Sequence, residues 1–338
     1  MMIESKNETT VAVSDGKGAT RRGFLASMLG AGFVLATPTI TRTAAAAEPV
    51  AACAAGNTTP QRVLLSIGED PSRGVSVTWR SPQAVGTPQG QIVPLSSDPA
   101  VTKQPQTVNG IAIAEKATEG QEARHYALSF SGLEPGRSYC YRVGDGTAWS
   151  EWNIFETALA TPAPFRFLYL GDVQNDIRAL CSRMVRYSSR RLPDARFILC
   201  AGDLVTEGCN DALWEEFTEA FSVTGYMTPL LPTPGNHDTH HATEEEDKAF
   251  PYGAAIQYHA HFHLPENGPK ESPELKQEAY YVDYQGVRII SVNSNVFSDD
   301  RPTNEAHKVA WESQLKWHEA VLSNNPNRWT IATHHHPI

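Results

Sequence analysis

The sequence predicts an all-β sandwich followed by an α/β domain, and three features carry that expectation. Over residues 62–157, short runs in which polar and apolar side chains alternate, such as 75–79 and 139–143, stand between clusters of Gly, Pro and Asp. This is the pattern of half-buried strands joined by turns, and no stretch of helical spacing interrupts it. Beyond Pro164, strand-like apolar runs take turns with stretches of helical period, as in α/β architectures. Between the two parts, residues 158–164 include Pro162 and Pro164 and read as a short linker.

Within the first part, Trp79 and Tyr141 are expected in the core of the sandwich rather than on a carbohydrate- or partner-binding surface. In the second part, residues 165–170, 197–201 and 226–231 read as strands or the approach to one. Residues 280–284 and 287–292 flank Gln285-Gly286 as a hairpin. Residues 311–322 then read as a helix and 329–333 as a further strand. Ile177, Leu180, Cys181, Met184 and Val185 recur at helical spacing and are expected to face a core. So do Leu213, Phe217 and Phe221, with Asn210 as a cap before them.

A length of 338 residues suffices for two domains. Hydrophobic content of 41% with 20% charged residues is that of a globular chain rather than a disordered one. The net charge of −10 and the lack of a basic run argue against nucleic acid as a stable partner. Near the start, Arg21-Arg22 precedes a weakly apolar stretch over 25–40, then Arg42 and the small residues Ala44 to Ala47. This resembles a twin-arginine export signal over residues 1–47, which implies the twin-arginine export machinery as a partner and a periplasmic or extracellular location. The stretch is too short and interrupted for a stable membrane span. A lipoprotein box ending at Cys53 is the competing reading. Of the remaining cysteines, Cys200 and Cys209 either pair or stay as buried thiols, and the second is favoured because Cys200 lies in an apolar strand.

Short polar segments close four of the strand-like runs. Gly171-Asp172, Gly202-Asp203 and Gly235-Asn236-His237-Asp238 follow the first three, and His334-His335-His336-Pro337 follows residues 329–333. Ligands of α/β sheets bind at that end of the strands. A Gly before each Asp is expected to let the backbone turn so that the carboxylate points back at a shared ligand. Carboxylate, amide and imidazole donors suit transition metal ions, with geometry and availability deciding among them.

With these residues the chain resembles the calcineurin-like metallophosphoesterase superfamily and, within it, the purple acid phosphatase-like group. The resemblance runs from about Pro164 to the last residue. Residues 133–157, including Tyr139-Cys140-Tyr141, Trp149-Ser150 and Phe155-Glu156-Thr157, resemble the fibronectin type III-like domain that precedes the catalytic domain in that group. The implied organisation is a fibronectin type III-like domain over 58–157 and an αββα metallophosphoesterase domain over 164–338. The implied activity is hydrolysis of a small phosphate ester, a monoester, by two divalent or mixed-valence transition metal ions drawn from Fe, Mn or Zn. Asp172 would bind the first ion, Asp203 would bridge both, and Asn236 and His335 would bind the second. His237 would face the substrate as an acid. Asp238 would orient that imidazole or else cap the local backbone.

Two departures bear on this chemistry. Thr206 stands where purple acid phosphatases carry a tyrosine ligand, so ferric iron is less favoured. Gln174 stands where many members carry a histidine; it either ligates through its amide oxygen or hydrogen-bonds beside the ligands. The alternatives are a phosphodiesterase acting on nucleotides or glycerophosphodiesters, and a non-catalytic exported binding protein. The family's last motif, G-H-x-H, does not occur before Ile338, so the chain is expected to be C-terminally incomplete and, as it stands, to bind metals poorly.

His259, His261 and His263 alternate, so an extended segment would place them on one face. Their resemblance to a substrate-channel segment makes His261 a candidate substrate contact. His318 is expected to be a hydrogen-bonded core residue beside Trp311, Leu315 and Leu322. His240 and His241 are expected on the surface more than at an active-site rim.

Overall fold

The computed structural model describes residues 57–114, 124–241 and 243–337. The export-signal reading over 1–47, and Cys53, lie outside them. The first eight strands are β1 (Gln61–Ile67), β2 (Val75–Ser81), β3 (Gln89–Pro94), β4 (Gln106–Asn109), β5 (Ile111–Ala114), β6 (Arg124–Phe130), β7 (Ser138–Gly144) and β8 (Asn153–Glu156). An antiparallel sheet in the order β4-β3-β7-β8 faces a second run in the order β5-β6-β2-β1. Between them Trp79, Leu128, Phe130, Tyr141, Val143 and Phe155 form one core. Trp79 and Tyr141 are buried there, as their places in the pattern predict.

This second sheet does not stop at β1. Ser66 of β1 pairs in parallel with Leu230 of a later strand, so the sheet continues into the α/β part as seven strands. The sequence of β1 explains why. Its alternate residues Val63 and Leu65 enter the sandwich core, while Leu64 and Ile67 enter the other core. A strand apolar on both faces has no solvated side and is built for the middle of a sheet.

The continuation consists of parallel strands β9 (Arg166–Leu170), β10 (Ala195–Ala201) and β11 (Leu230–Thr233), with helices α1 (Ser182–Arg191), α2 (Asp211–Ala220) and α3 (Thr224–Met227) between them. Asn210 caps α2 by accepting the Ala212 N–H, as its position implies. Ile177, Cys181 and Val185 are buried, whereas Leu180 and Met184 are 48% and 41% exposed, against the expectation for the whole stripe. A turn of π-helix over Ile177–Cys181 changes the spacing and rotates the two outward.

After β11 come α4 (Glu244–Ala249) and α5 (Ile256–His261), then β12 (Tyr280–Tyr284), β13 (Val287–Ser291), α6 (Glu305–Ser323) and β14 (Trp329–Thr333). The β12–β13 hairpin turns through Gln285 and Gly286, both at positive φ, as a two-residue turn requires. β14 adds in parallel beside β13 across the α6 crossover. This three-stranded sheet stacks on β9–β11: the Tyr284 ring lies 4.8 Å from Phe165 and 5.1 Å from Phe197. The Thr233 and Ser291 hydroxyls meet at 2.9 Å across the gap. Helices outside both sheets complete an αββα arrangement.

Two local expectations are corrected, and the favoured free-thiol reading of Cys200 holds. The segment carrying His259 and His261 is helical, so the alternating histidines do not share a strand face. Leu315 and Leu322 are exposed because α6 buries a different face, through His307, Ala310, Gln314 and Val321. His318 beside them is half-buried, and its Nε2 has no hydrogen-bond partner among the described residues. No disulfide joins Cys200 to Cys209, and Cys200 is fully buried.

Candidate metal centre

The loops that leave β9, β10, β11 and β14 converge at one end of the two sheets. In the first, the turn is made by Asp172 itself, at φ 54°, and not by Gly171 as the Gly-Asp spacing suggested. In the second, both Gly202 (φ 84°) and Asp203 (φ 53°) are left-handed. Asp tolerates that region better than most residues, though at a cost, and such strain collects at functional sites. The Asp172 N–H donates to the Gly202 carbonyl at 3.1 Å, which locks the two turns together. Gly202 and Gly235 are required by contact as well. A methyl group on Gly202 would lie 2.7 Å from His335 Cβ, and one on Gly235 would lie 2.3 Å from Asp203 N.

Ligand atoms of Asp172, Asp203 and His335 all lie within 4.8 Å of one another. His335 Nδ1 donates to the Ala201 carbonyl at 3.0 Å, so Nε2 is the nitrogen aimed inward. Nε2 lies 3.4 Å from Asp203 Oδ1 and 3.2 Å from Asn236 Oδ1. The Asp203 carboxylate beside it raises the His335 pKa to about 9. Burial raises the Asp203 pKa, but hydrogen bonds from His335 and the His237 N–H outweigh it, and the carboxyl ends below its ordinary value. Gln174 donates its amide nitrogen to Asp203 Oδ2 at 2.8 Å, while its buried Oε1 has no hydrogen-bond partner among the described residues.

This donor set fits a transition metal ion: two carboxylates, one imidazole nitrogen with its tautomer fixed, and the amide oxygens of Asn236 and Gln174. Asp172 and Asn236 are exposed and Asp203 buried, so the group is reached from solvent past Asp172 and Asn236. His237 stands at its border. Its Nδ1 donates to the Thr206 carbonyl at 2.8 Å, which leaves Nε2 as the exchangeable nitrogen. The ring of exposed His240 lies 5.2 Å away.

Asp238 makes no hydrogen bond to the His237 ring, whose Nδ1 is on Thr206. Its fully buried carboxylate accepts the N–H groups of Gly235, Leu204 and, more weakly, Val205. It thereby ties the second and third loops together, the backbone-capping alternative raised from sequence. Burial pushes its pKa up to about 7, against the lowering effect of those N–H groups.

His261, proposed as a substrate contact, is 2% exposed and stacks on Trp214 at 4.8 Å, with its Nδ1 on the Gln257 carbonyl. Buried in that seam it cannot reach a ligand at the strand ends. His259 is engaged by buried Glu278 at 3.0 Å.

The sequence reading missed Asn293, Ser294 and Asn295, which follow β13 and reach the same end of the sheets. Ser294 Oγ accepts the N–H groups of His335 and His336, both at 3.1 Å. Asn295 donates to the Gly235 carbonyl at 3.2 Å. A polar triplet directly after an apolar strand, at the ligand-binding end, was the available signal.

A two-layer sheet stack with carboxylate, amide and imidazole donors gathered at its strand ends is an arrangement able to hold metal ions. Comparison with known proteins defines the class further. Residues 165–338 match the calcineurin-like phosphoesterase family and residues 60–157 match the purple acid phosphatase N-terminal domain. The chain belongs to the calcineurin-like phosphoesterase family. It is 27% identical over 215 residues to acid phosphatase type 7 of Danio rerio, across 56% of this chain and 45% of that protein.

Its fold is similar to that of a purple acid phosphatase from yellow lupin seeds, with TM-score 0.61 and 17% identity over 81% of this chain and 50% of that one. It is also similar to PhoD, with TM-score 0.57 and 14% identity over 81% of this chain and 62% of that one. The chain thus spans less than two thirds of the length of each of these relatives. No helix among the described residues is long and apolar enough to cross a membrane.

Proposed function

We propose that this chain carries the metal-binding part of a phosphatase that hydrolyses small phosphate monoesters at a pair of transition metal ions. The observation that carries the reading is the convergence of Asp172, Asp203 and His335 beside Asn236 and Gln174. Family membership and the likeness to an acid phosphatase support it. Asp203 would be shared between the ions, with Asp172 and Gln174 on one side and Asn236 and His335 on the other. Bound ions would supply Lewis-acid stabilisation of the phosphate oxygens and a water of lowered pKa.

The chain's own residues set the rest. Buried Asp203 is held by Gln174 and by the His237 N–H, so its carboxylate does not have to reorganise on binding. With Nδ1 fixed on Thr206, His237 Nε2 would hold the proton that passes to the leaving oxygen. A positioned acid of this kind contributes about 10²–10⁴-fold in rate. Thr206, in place of a tyrosine ligand, favours divalent Mn, Zn or Fe over ferric iron.

The test is turnover of an aryl phosphate monoester at matched Mn²⁺ content. His237→Ala is expected to lower kcat by about 10²–10⁴-fold with little change in metal affinity. Unchanged turnover would remove His237 from the mechanism. A diester of the same leaving group is expected to react more slowly, and a preference for the diester above about tenfold would replace the monoester reading. We further propose export by the twin-arginine route, supported by Arg21-Arg22 ahead of the weakly apolar stretch. Replacing both arginines by lysine should retain the protein in the cytoplasm of an expressing bacterium.

A further inference from the structure

The ligands of the candidate centre come from two different sheets, so something must hold the sheets in register to within the tolerance of a coordination bond. Asp203 and Asn236 follow strands of the seven-stranded sheet, and His335 follows β14 of the other. We infer that Ser294 is a positioning residue for the metal ligand His335, acting through a hydroxyl clamp on the 334–336 loop.

The hydrogen count fixes its chemistry. Ser294 Oγ lies 3.1 Å from the His335 N–H, 3.1 Å from the His336 N–H and 2.9 Å from His336 Nδ1. Two of these three are donors that use both oxygen lone pairs. The single hydroxyl proton is therefore left for Nδ1, which puts the His336 proton on Nε2.

Ser294 is itself 7% exposed and held on both flanks. Asn293 Nδ2 donates to Glu278 Oε2 and to the Tyr252 carbonyl, and its N–H donates to Gln314. Asn295 reaches across to the Gly235 carbonyl, one residue before Asn236. The loop is closed further by His334 Nδ1 on the His336 carbonyl. His335 is thus gripped at its backbone N–H by Ser294 and at ring Nδ1 by Ala201, one contact from each sheet, and Nε2 is the atom left to ligate. Ligand-orienting partners of this kind are worth roughly 10–100-fold in metal affinity.

This inference rests on the metal-centre reading, and its test separates the two. In metal-free protein, Ser294→Ala should speed amide hydrogen exchange at His335 and His336 while leaving the amides of β13 unchanged. With Mn²⁺ alone as the probe in titration calorimetry, the same variant should bind roughly 10–100-fold more weakly. Ser294→Thr, which keeps the hydroxyl, should restore both. Unchanged exchange at His335 and His336, or unchanged Mn²⁺ affinity against a wild-type protein that binds, would overturn the clamp. Altered exchange with no Mn²⁺ binding by the wild type would overturn the metal reading, and with it any ligand for Ser294 to position.

Discussion

Two clusters of titratable side chains among the described residues differ in what surrounds them. At the strand ends, Asp172, Asp203 and His335 point their ligand atoms at one another, and the group is open to solvent past Asp172 and Asn236. In the seam between the sandwich strands and α2, Arg62 and Arg80 both grip Asp211, at 2.6 and 2.9 Å. His125 and His261 meet there with ring centroids 5.2 Å apart, and both are almost fully buried. The seam has the more strongly shifted imidazoles: burial, with Arg80 and Arg62 adding to it, lowers the His125 pKa to about 3, and burial holds His261 well below its ordinary value. Yet its carboxylate is already matched by guanidinium groups, and no ligand can enter. A shifted pKa therefore marks a constrained environment, and access with convergent lone pairs marks the candidate site.

Breaking each cluster should produce different losses. The largest is expected from Asp203→Ala. By removing the carboxylate shared by both sides of the centre, it should lower Mn²⁺ affinity by more than the roughly 100-fold typical of losing an outer partner. A variant that binds Mn²⁺ like the wild type would displace Asp203 from the centre. Next comes Asp211→Ala, which leaves two arginines buried without their shared carboxylate. It should cost about 3–5 kcal/mol of stability by urea denaturation. Metal affinity measured in the folded variant should be unaffected, and a smaller loss than about 1 kcal/mol would mean the seam rearranges around solvent.

A smaller effect follows from pH. The folded pKa values of His125 and His261 lie below the value of about 6.5 for the unfolded chain. The unfolded state therefore takes up these protons first as pH falls. Stability from this pair is fully present above about pH 6.5 and is lost on acidification towards about pH 3, where His125 itself protonates in the fold. The slope is about 1.4 kcal/mol per pH unit for each imidazole. His125→Gln should flatten that slope by about half between pH 6 and pH 4. An unchanged slope would show that His125 is not the group responsible.

The strand-end motifs were legible because each is local: an apolar run, then a Gly-Asp or Gly-Asn-His step, then a helix or turn. For the same reason the hairpin at Gln285-Gly286 and the cap at Asn210 could be placed from a few neighbouring residues. His261 failed that way of reading. Alternation in Tyr258-His259-Ala260-His261-Phe262-His263 suggested a strand face, but packing of Phe262 against Tyr258, Trp214 and Phe217 holds a helical turn there and turns His261 into the seam. Asp238 was similarly ambiguous, since a carboxylate beside a histidine in sequence has no fixed neighbour in space until the second and third loops meet.

By itself, the sequence determined the two fold classes, the strand ends and the donor types, because period, turn chemistry and motif spacing are properties of contiguous residues. Only the tertiary structure decided that β1 joins the sandwich strands to the α/β sheet through Ser66 and Leu230, that Gln174 donates to Asp203, and that Ser294 holds the His335 loop. Each of these pairs residues at least 29 positions apart. Their contacts depend on the register of whole sheets, which is set by burial summed over both cores and is not written in any short segment.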